Sequence, residues 1–290
     1  MQSGFVAIFG KPNVGKSTIM NKLLQKKLSI VSPKAQTTRS AIKGIYNDND
    51  CQIVFIDTPG IQREPNKMGQ FMNRLAFQAM QEVDAILLVI DVSKAIHESD
   101  ESVASLRNTN KCPMIVVLNK IDLVKANEME LVKERVKALY PDAVLIECSA
   151  INKFNLDTLL VETKKVLPEG PLYYDRDQLS DAPLMFLCGE MVREKVMVLY
   201  EKEIPYSTLV FCEKFNNKEN RIDVEVTIVV ERDSQKGIII GKDGVMLKKL
   251  NTHAKKEIHN LLNKQIDLSL FVKVIKDWKE KESYLRLIRY

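Results

Sequence analysis

Two patterns of apolar and polar positions divide the chain. Between Phe5 and about Leu167, short runs of almost unbroken apolar residues alternate with amphipathic stretches. The runs are "FVAIF", "QIVFID", "DAILLVID", "MIVVLN" and "AVLIEC"; the stretches include "STIMNKLLQ" and "LVKERVKAL". Strands that are apolar throughout are covered on both faces. This half therefore predicts an α/β domain with a doubly wound, largely parallel sheet between helices. The segment from Leu167 to Pro183, rich in Pro and Asp, reads as a linker. Beyond it, "LCGEMVREKVMVLYE" has helical spacing, and "YSTLVFCEKF" and "RIDVEVTIVVE" read as two β segments around the polar turn "NNKEN". A glycine corner, a helix to about Leu262 and a strand "IDLSLFVKVI" follow, so the second half predicts a smaller α+β domain. The expected boundaries are 1–170, a linker at 171–183, and 184–290 including a tail. At 290 residues each half has enough chain for its own core.

Composition narrows the classes. The chain is 45% apolar and 28% charged with a net charge of +5, which permits a polyanionic partner without demanding one. Cys51, Cys112, Cys148, Cys188 and Cys212 form no C-x-x-C pair, a set that fits a reducing cytosol better than a disulfide frame. The longest apolar runs are too short to cross a bilayer. The N-terminus has no basic region or cleavage site of a signal peptide.

The first half carries four short motifs, each just after an apolar run. From Gly10 through Lys11, Pro12, Asn13, Val14 and Gly15 to Lys16, Ser17 and Thr18 the chain has the spacing of a phosphate-binding loop between strand and helix. Its glycines let successive N–H groups turn inward around a phosphate, and the new helix points its positive end at the anion. Lys16 is expected on the β- and γ-phosphates and Ser17 on Mg²⁺. "DTPG", from Asp57 through Thr58 and Pro59 to Gly60, offers a carboxylate to the Mg²⁺ shell and an N–H at Gly60 to the γ-phosphate. "NKID" supplies Asn119, Lys120 and Asp122. An acceptor at Asp122 matches the N1–H and 2-amino group of guanine, a donor pair that adenine lacks. Ser149 and Ala150 of "CSA" are placed to support the guanine O6. Each motif alone is often a plain turn; together, at the carboxyl ends of successive strands, they mark a nucleotide site. In "SPKAQTTRS", Thr38 is the candidate switch threonine for Mg²⁺, with Thr37 as rival.

With these motifs complete, the first half resembles the Ras-like GTPases, and "GKPNVGKST", "KAQTTR" and "DTPG" resemble the bacterial Era GTPases in particular. The Ras-type water-orienting Gln is replaced here by Ile61, so hydrolysis is expected to be slow. The resemblance implies that Asn13 holds a K⁺ ion in place of an arginine finger. Lys16, Thr38, Gly60 and Asn13 are then the residues expected around the reacting phosphate.

In the second half, "GIIIGKDGVMLKKL" puts Gly241 and Gly244 around Lys242 and Asp243. A corner without Cβ atoms lets a nucleic-acid backbone approach, with helix-end N–H groups facing phosphate. Lys236, Lys242, Lys248, Lys249, Lys255 and Lys256 stand against the single carboxylate Asp243 between positions 236 and 256. That local excess is an electrostatic footprint that the modest overall charge conceals. The order of elements is that of a type II KH domain, a four-nucleotide clamp, and "ERDSQKGIIIGKDG" through "VKVIKDW" resembles the C-terminal KH domain of the Era GTPases. "KEKESYLRLIRY" fits that pattern only loosely.

The resemblance implies RNA contacts at Gly241, Lys242 and Gly244 with Ile239, Ile240 and Lys248 nearby. It also implies binding to the 3′ end of the 16S ribosomal RNA and a role in assembly of the 30S subunit. A single-copy cytoplasmic protein with peripheral contact to the inner face of the cell membrane is expected. Other readings remain at this point: a GTPase whose small domain binds a protein or a membrane, a metabolic P-loop kinase, and an RNA chaperone that uses no nucleotide.

Overall fold

The computed structural model describes residues 1–61, 67–94 and 112–288. It divides into two units. One holds most of the chain up to Asp181; the other holds Ala182 onward together with Ile30–Ser40.

The first unit is built on six strands: β1 (Gln2–Phe9), β2 (Ile42–Asn47), β3 (Cys51–Asp57), β4 (Ala85–Asp91), β5 (Met114–Asn119) and β6 (Val144–Cys148). Their order is β2-β3-β1-β4-β5-β6, and only β2 runs antiparallel to its neighbour. The five apolar runs are the five parallel strands, and β3 and β4 are buried along their whole length. β2 is the strand that the apolar pattern does not show. Gly44 lies at its middle because a Cβ there would come within 2.4 Å of Leu24, so α1 (Lys16–Leu23) and the turn after it pass close over this strand. The other helices of this unit are α2 (Lys67–Gln78), α3 (Ala126–Leu139) and α4 (Leu156–Lys165). Ala76, Met80, Met129, Val136 and Tyr140 pack on Phe9, Leu88 and Leu118 to form one core cluster.

The stretch read as a linker is strapped to this unit. Gln52 Oε1 accepts the N–H groups of Tyr173 (2.7 Å) and Tyr174 (3.0 Å), and the Ile45 N–H bonds Leu179 O at 2.9 Å. The outer edge of β2 is thereby covered instead of being left as an open template for pairing.

In the second unit α5 (Leu184–Leu199), α6 (Asp233–Ile240) and α7 (Val245–Leu262) accompany the sheet β7 (Leu209–Asn217), β8 (Arg221–Val230) and β9 (Gln265–Val274). β8 is central, antiparallel to β7 and parallel to β9. Leu250, Ala254 and Ile258, one turn apart on α7, meet Val192 and Val196 of α5 and Val224, Val226 and Ile228 of β8 in its core. Ile30 is part of this same core.

The loosely matching tail has a structural place. Trp278 is fully buried and donates its Nε1–H to Ser207 O at 3.0 Å, and Leu285 and Ile288 beyond it are buried too. Trp278→Ala removes the largest fully buried side chain and leaves the Ser207 carbonyl without this partner. The cost is expected at about 3–5 kcal/mol. Chemical denaturation followed by a probe in the second unit will read it as an earlier transition.

Candidate nucleotide site and nucleic-acid corner

Parallel pairing brings the four motifs to one end of the first sheet. Ile8 stands opposite Asp57, Asp91 opposite Asn119, and Asn119 opposite Cys148. The residues that follow β1, β3, β5 and β6 are thus Gly10, Thr58, Lys120 and Ser149.

The loop from Gly10 to Gly15 turns through three residues with positive φ: Gly10 (144°), Asn13 (64°) and Gly15 (108°). Space as well as torsion calls for glycine at the ends. A Cβ at Gly10 would lie 2.4 Å from Val89 O, and one at Gly15 2.2 Å from Asn119 Nδ2. Lys16 is buried, and its ammonium donates to Gly10 O (3.0 Å) and Lys11 O (2.9 Å). Burial draws its pKa from 10.5 down to about 8, against a smaller upward pull from the Asp57 carboxylate. The Ser17 hydroxyl donates to Asp57 Oδ2 at 2.6 Å. A hydroxyl and a carboxylate meeting at a helix N-terminus are hard oxygen donors, a set suited to Mg²⁺. Thr58 is turned inward, with its hydroxyl on Ile8 O at 2.8 Å. Gly60 lies against the loop, where a Cβ would come within 2.7 Å of the Pro12 backbone. Ile61 packs its side chain on the apolar core cluster of this unit.

The base-reading motif is tied to the phosphate loop. Asn119 Nδ2 donates to Val14 O at 2.7 Å, and Lys120 Nζ donates to Asn13 O at 2.8 Å. The Ser149 hydroxyl donates to Asp122 Oδ1, which orients the carboxylate. The Ala150 N–H, expected near guanine O6, bonds Asn119 Oδ1 at 3.0 Å. Lys11, Pro12 and Thr18 lie on the partly exposed side of the loop and the first turn of α1.

The segment expected to sense the γ-phosphate is housed in the second unit. Thr38, Arg39 and Ser40 are buried there. Arg39 donates to Thr208 O at 2.7 Å and to Pro205 O at 3.1 Å; Arg193, paired with Glu190 at 2.6 Å, donates to Thr37 O. Lys34 Nζ donates to Met197 O at 2.6 Å and also to Tyr200 O. Of the two threonines weighed, Thr37 uses its hydroxyl to close the loop on Lys34 O at 2.6 Å. Burial lowers the pKa of Arg39 to about 9, with Arg193 adding to the shift and Glu190 opposing it.

At the second glycine corner, Gly241 (φ 72°) ends α6, Asp243 (φ 52°) stands left-handed, and Gly244 (φ 74°) opens α7. A Cβ at Gly241 would lie 2.8 Å from Met246, whereas one at Gly244 meets nothing within 4 Å. Lys242, Lys248, Lys249, Lys255 and Lys256 are exposed and form no ion pair among the described residues. The expectation for Ile239 is corrected here. Its side chain is wholly buried in the core and its carbonyl accepts the Tyr200 hydroxyl at 2.7 Å, so it supports the corner from behind. The apolar surface beside the corner comes from Ile238 and Val245, 49% and 64% exposed, and from the partly exposed Ile240. Val245 went unnoticed, and a run of apolar letters does not tell which of its isoleucines faces outward.

The fold and site together define a P-loop guanine-nucleotide-binding protein carrying a KH domain. Residues 5–120 match the family described as 50S ribosome-binding GTPase, and residues 203–279 match the KH domain. The chain is 43% identical to the GTPase Era of Lacticaseibacillus paracasei over 289 residues, covering 99% of this chain and 96% of that one. Among solved structures it is similar to an Aquifex aeolicus Era variant bound to GDP·AlF4⁻ (39% identity, TM-score 0.94, 99% of both chains). It is equally similar to an Era in complex with MgGDPNP and nucleotides 1506–1542 of 16S ribosomal RNA (39% identity, TM-score 0.94, 99% of this chain and 98% of that one). The chain belongs to the Era GTPase family.

The lowered pKa of Lys16 gives a test of the cradle. Without nucleotide the ammonium loses its proton near pH 8; a polyphosphate beside it favours the charged form and raises the pKa. GDP binding is therefore expected to take up a proton at about pH 8.5 and almost none at about pH 7. Calorimetry in buffers of different ionisation enthalpy measures this uptake, and Lys16→Met abolishes it.

Proposed function

We propose that this chain is a GTP-hydrolysing switch that binds the 3′ end of 16S ribosomal RNA through its KH domain and acts in maturation of the 30S subunit. The observation that carries the reading is the presence of both phosphate-approachable corners, built and intact, in one chain of a family whose relatives include an Era solved with MgGDPNP and this RNA.

In the nucleotide half, Lys16, the Gly15 and Ser17 N–H groups and the N-terminus of α1 receive the β-phosphate, and Ser17 with Asp57 would hold Mg²⁺. Bound there, Mg²⁺ would supply positive charge to the phosphate oxygens. Gly60, pressed on the loop, presents its N–H to the γ-phosphate, and Asp122, steered by Ser149, reads guanine. Ile61 has no polar atom to orient the attacking water, so the intrinsic rate is expected on the order of 10⁻³ s⁻¹ or below. Asn13, left-handed within the loop (φ 64°), is the residue that would supply an oxygen to K⁺.

In the second unit Gly241, Lys242 and Gly244 face the RNA backbone, Lys248 extends the positive side, and Ile238, Ile240 and Val245 offer apolar surface to bases. The protein is read as acting as a single copy in the cytoplasm, with peripheral contact to the inner face of the membrane. Five free cysteines suit a reducing compartment. Among the described residues no helix is long and apolar enough to cross a membrane.

Two experiments test the two halves. Gly244→Asp places a carboxylate in open space where phosphate is to lie and is expected to abolish binding to the 16S 3′ segment in a filter assay while GTP hydrolysis continues. Retained RNA binding would remove the corner from the interface. Gly241→Asp is a poorer probe because it also collides with Met246. Asn13→Ala is expected to erase the stimulation of hydrolysis by K⁺ over Na⁺ with nucleotide affinity preserved; a mutant still stimulated by K⁺ rules out the cation role.

A further inference from the structure

The two side chains that tie the base-reading motif to the phosphate loop differ in what lies behind them. Asn119 is fixed by its own backbone position and by the Ala150 N–H. Lys120 sits on a left-handed residue (φ 70°), and its long side chain has no such fixture of its own. What holds it is Asp91, the last residue of β4, whose Oδ2 receives the Lys120 ammonium at 2.6 Å. The Asp91 side chain is 3% exposed, and its other oxygen accepts the Ser93 hydroxyl and the Ser93 N–H (3.2 Å). Burial alone pushes the Asp91 pKa up, but the bonds from Lys120 and Ser93 outweigh it and leave the carboxyl below its ordinary value. Lys94, at 3.8 Å and largely in water, adds little.

The geometry of a trans peptide turns this anchor into a statement about phosphate. No peptide bond in the described residues is cis. In a trans peptide, the C=O of one residue and the N–H of the next point in opposite directions. Lys120 draws the Asn13 carbonyl outward, which turns the Val14 N–H to the other side of the loop. Asn119 draws the Val14 carbonyl and does the same for the Gly15 N–H. The N–H groups so turned are the donors a phosphate-binding loop uses.

We propose that Asp91 is a positioning residue which, by anchoring Lys120 on the Asn13 carbonyl, orients the Val14 N–H of the cradle and so sets how firmly the β-phosphate is held. The inference rests on the nucleotide reading given above. It makes Asp91 a determinant of nucleotide retention although it meets neither base, sugar nor phosphate. The carboxylate also neutralises a lysine that would otherwise stand beside the loop with a second cation, Lys16, a short way along it.

The test compares a ligand that reaches the cradle with one that stops short of it. In the full chain, Asp91→Asn keeps the shape and removes the charge. Release of fluorescent GDP is expected to accelerate about 10- to 100-fold, the range of a lost charge-assisted hydrogen bond. The affinity for GMP, measured by competition, is expected to change less than about 2-fold, because GMP has no β-phosphate for the cradle to hold. Asp91→Glu, which restores a charge, recovers part of the loss and serves as the second probe if Asp91→Asn is poorly folded. In a Lys120→Met background, Asp91→Asn brings no further acceleration, since its effect passes through the lysine. Unchanged GDP release in Asp91→Asn, equal losses for GDP and GMP, no recovery in Asp91→Glu, or additive effects with Lys120→Met would each overturn the proposal. Failure of the parent protein to bind GDP at all would instead strike the nucleotide reading itself.

Discussion

The register of one parallel ladder governs the nucleotide half. Because β1 is paired in step with β3 and β4, and β5 with β4 and β6, the chain leaves five neighbouring strands at nearly one level. Residues far apart in sequence meet there, and each meeting is a bond between side chain and backbone: Asn119 on Val14, Lys120 on Asn13, Thr58 on Ile8. Such contacts tolerate little error. A strand displaced by one residue would reverse its side chains, sending Asn119 and Asp91 toward opposite faces of the sheet. The fully apolar strands fix the register through their buried faces, and the polar ends inherit that precision.

The two glycine corners solve related problems in different ways. At the first, a Cβ on either Gly10 or Gly15 would strike protein atoms, so the loop is pressed into its own scaffold. At the second, the space beyond Gly244 is open and the lysines around it stand in water. Enclosure suits a small anion that must be gripped and compared with a close analogue. Openness suits a polymer, whose phosphates are held by a diffuse positive field that salt weakens. Lys16 illustrates the enclosure, since burial draws its pKa down to about 8.

Much of this was legible in the residues. The five parallel strands announced themselves because a strand covered on both faces has little room for polar letters, and the motifs were found at the strand ends for the same reason. β2 was not legible, because its central Gly44 answers to the close passage of Leu24 and not to any strand pattern. Ile239 was misjudged as a contact because three consecutive isoleucines on a helix point in three directions, and only packing decides which is inward. The Asp91–Lys120 pair was hidden for a further reason: 29 positions separate the partners, and only the β4–β5 register joins them. "SPKAQTTRS" reads as a polar loop, yet Arg39 is buried, with its two terminal nitrogens donating to the carbonyls of Thr208 and Pro205.

That last segment bears on how the chain can be taken apart. Ile30 through Ser40 stand early in the sequence but have their hydrophobic and charged partners among residues after 181, with Ile30 inside that core and Arg39 bound to its backbone. A fragment cut at the linker would therefore not be a free-standing enzyme with a missing attachment. It would carry eleven orphaned residues, including a guanidinium shaped for burial, while the complementary fragment would have a hole where an isoleucine belongs. The two halves are legible as separate modules on paper, but the polypeptide has been sewn so that neither is whole without a piece of the other.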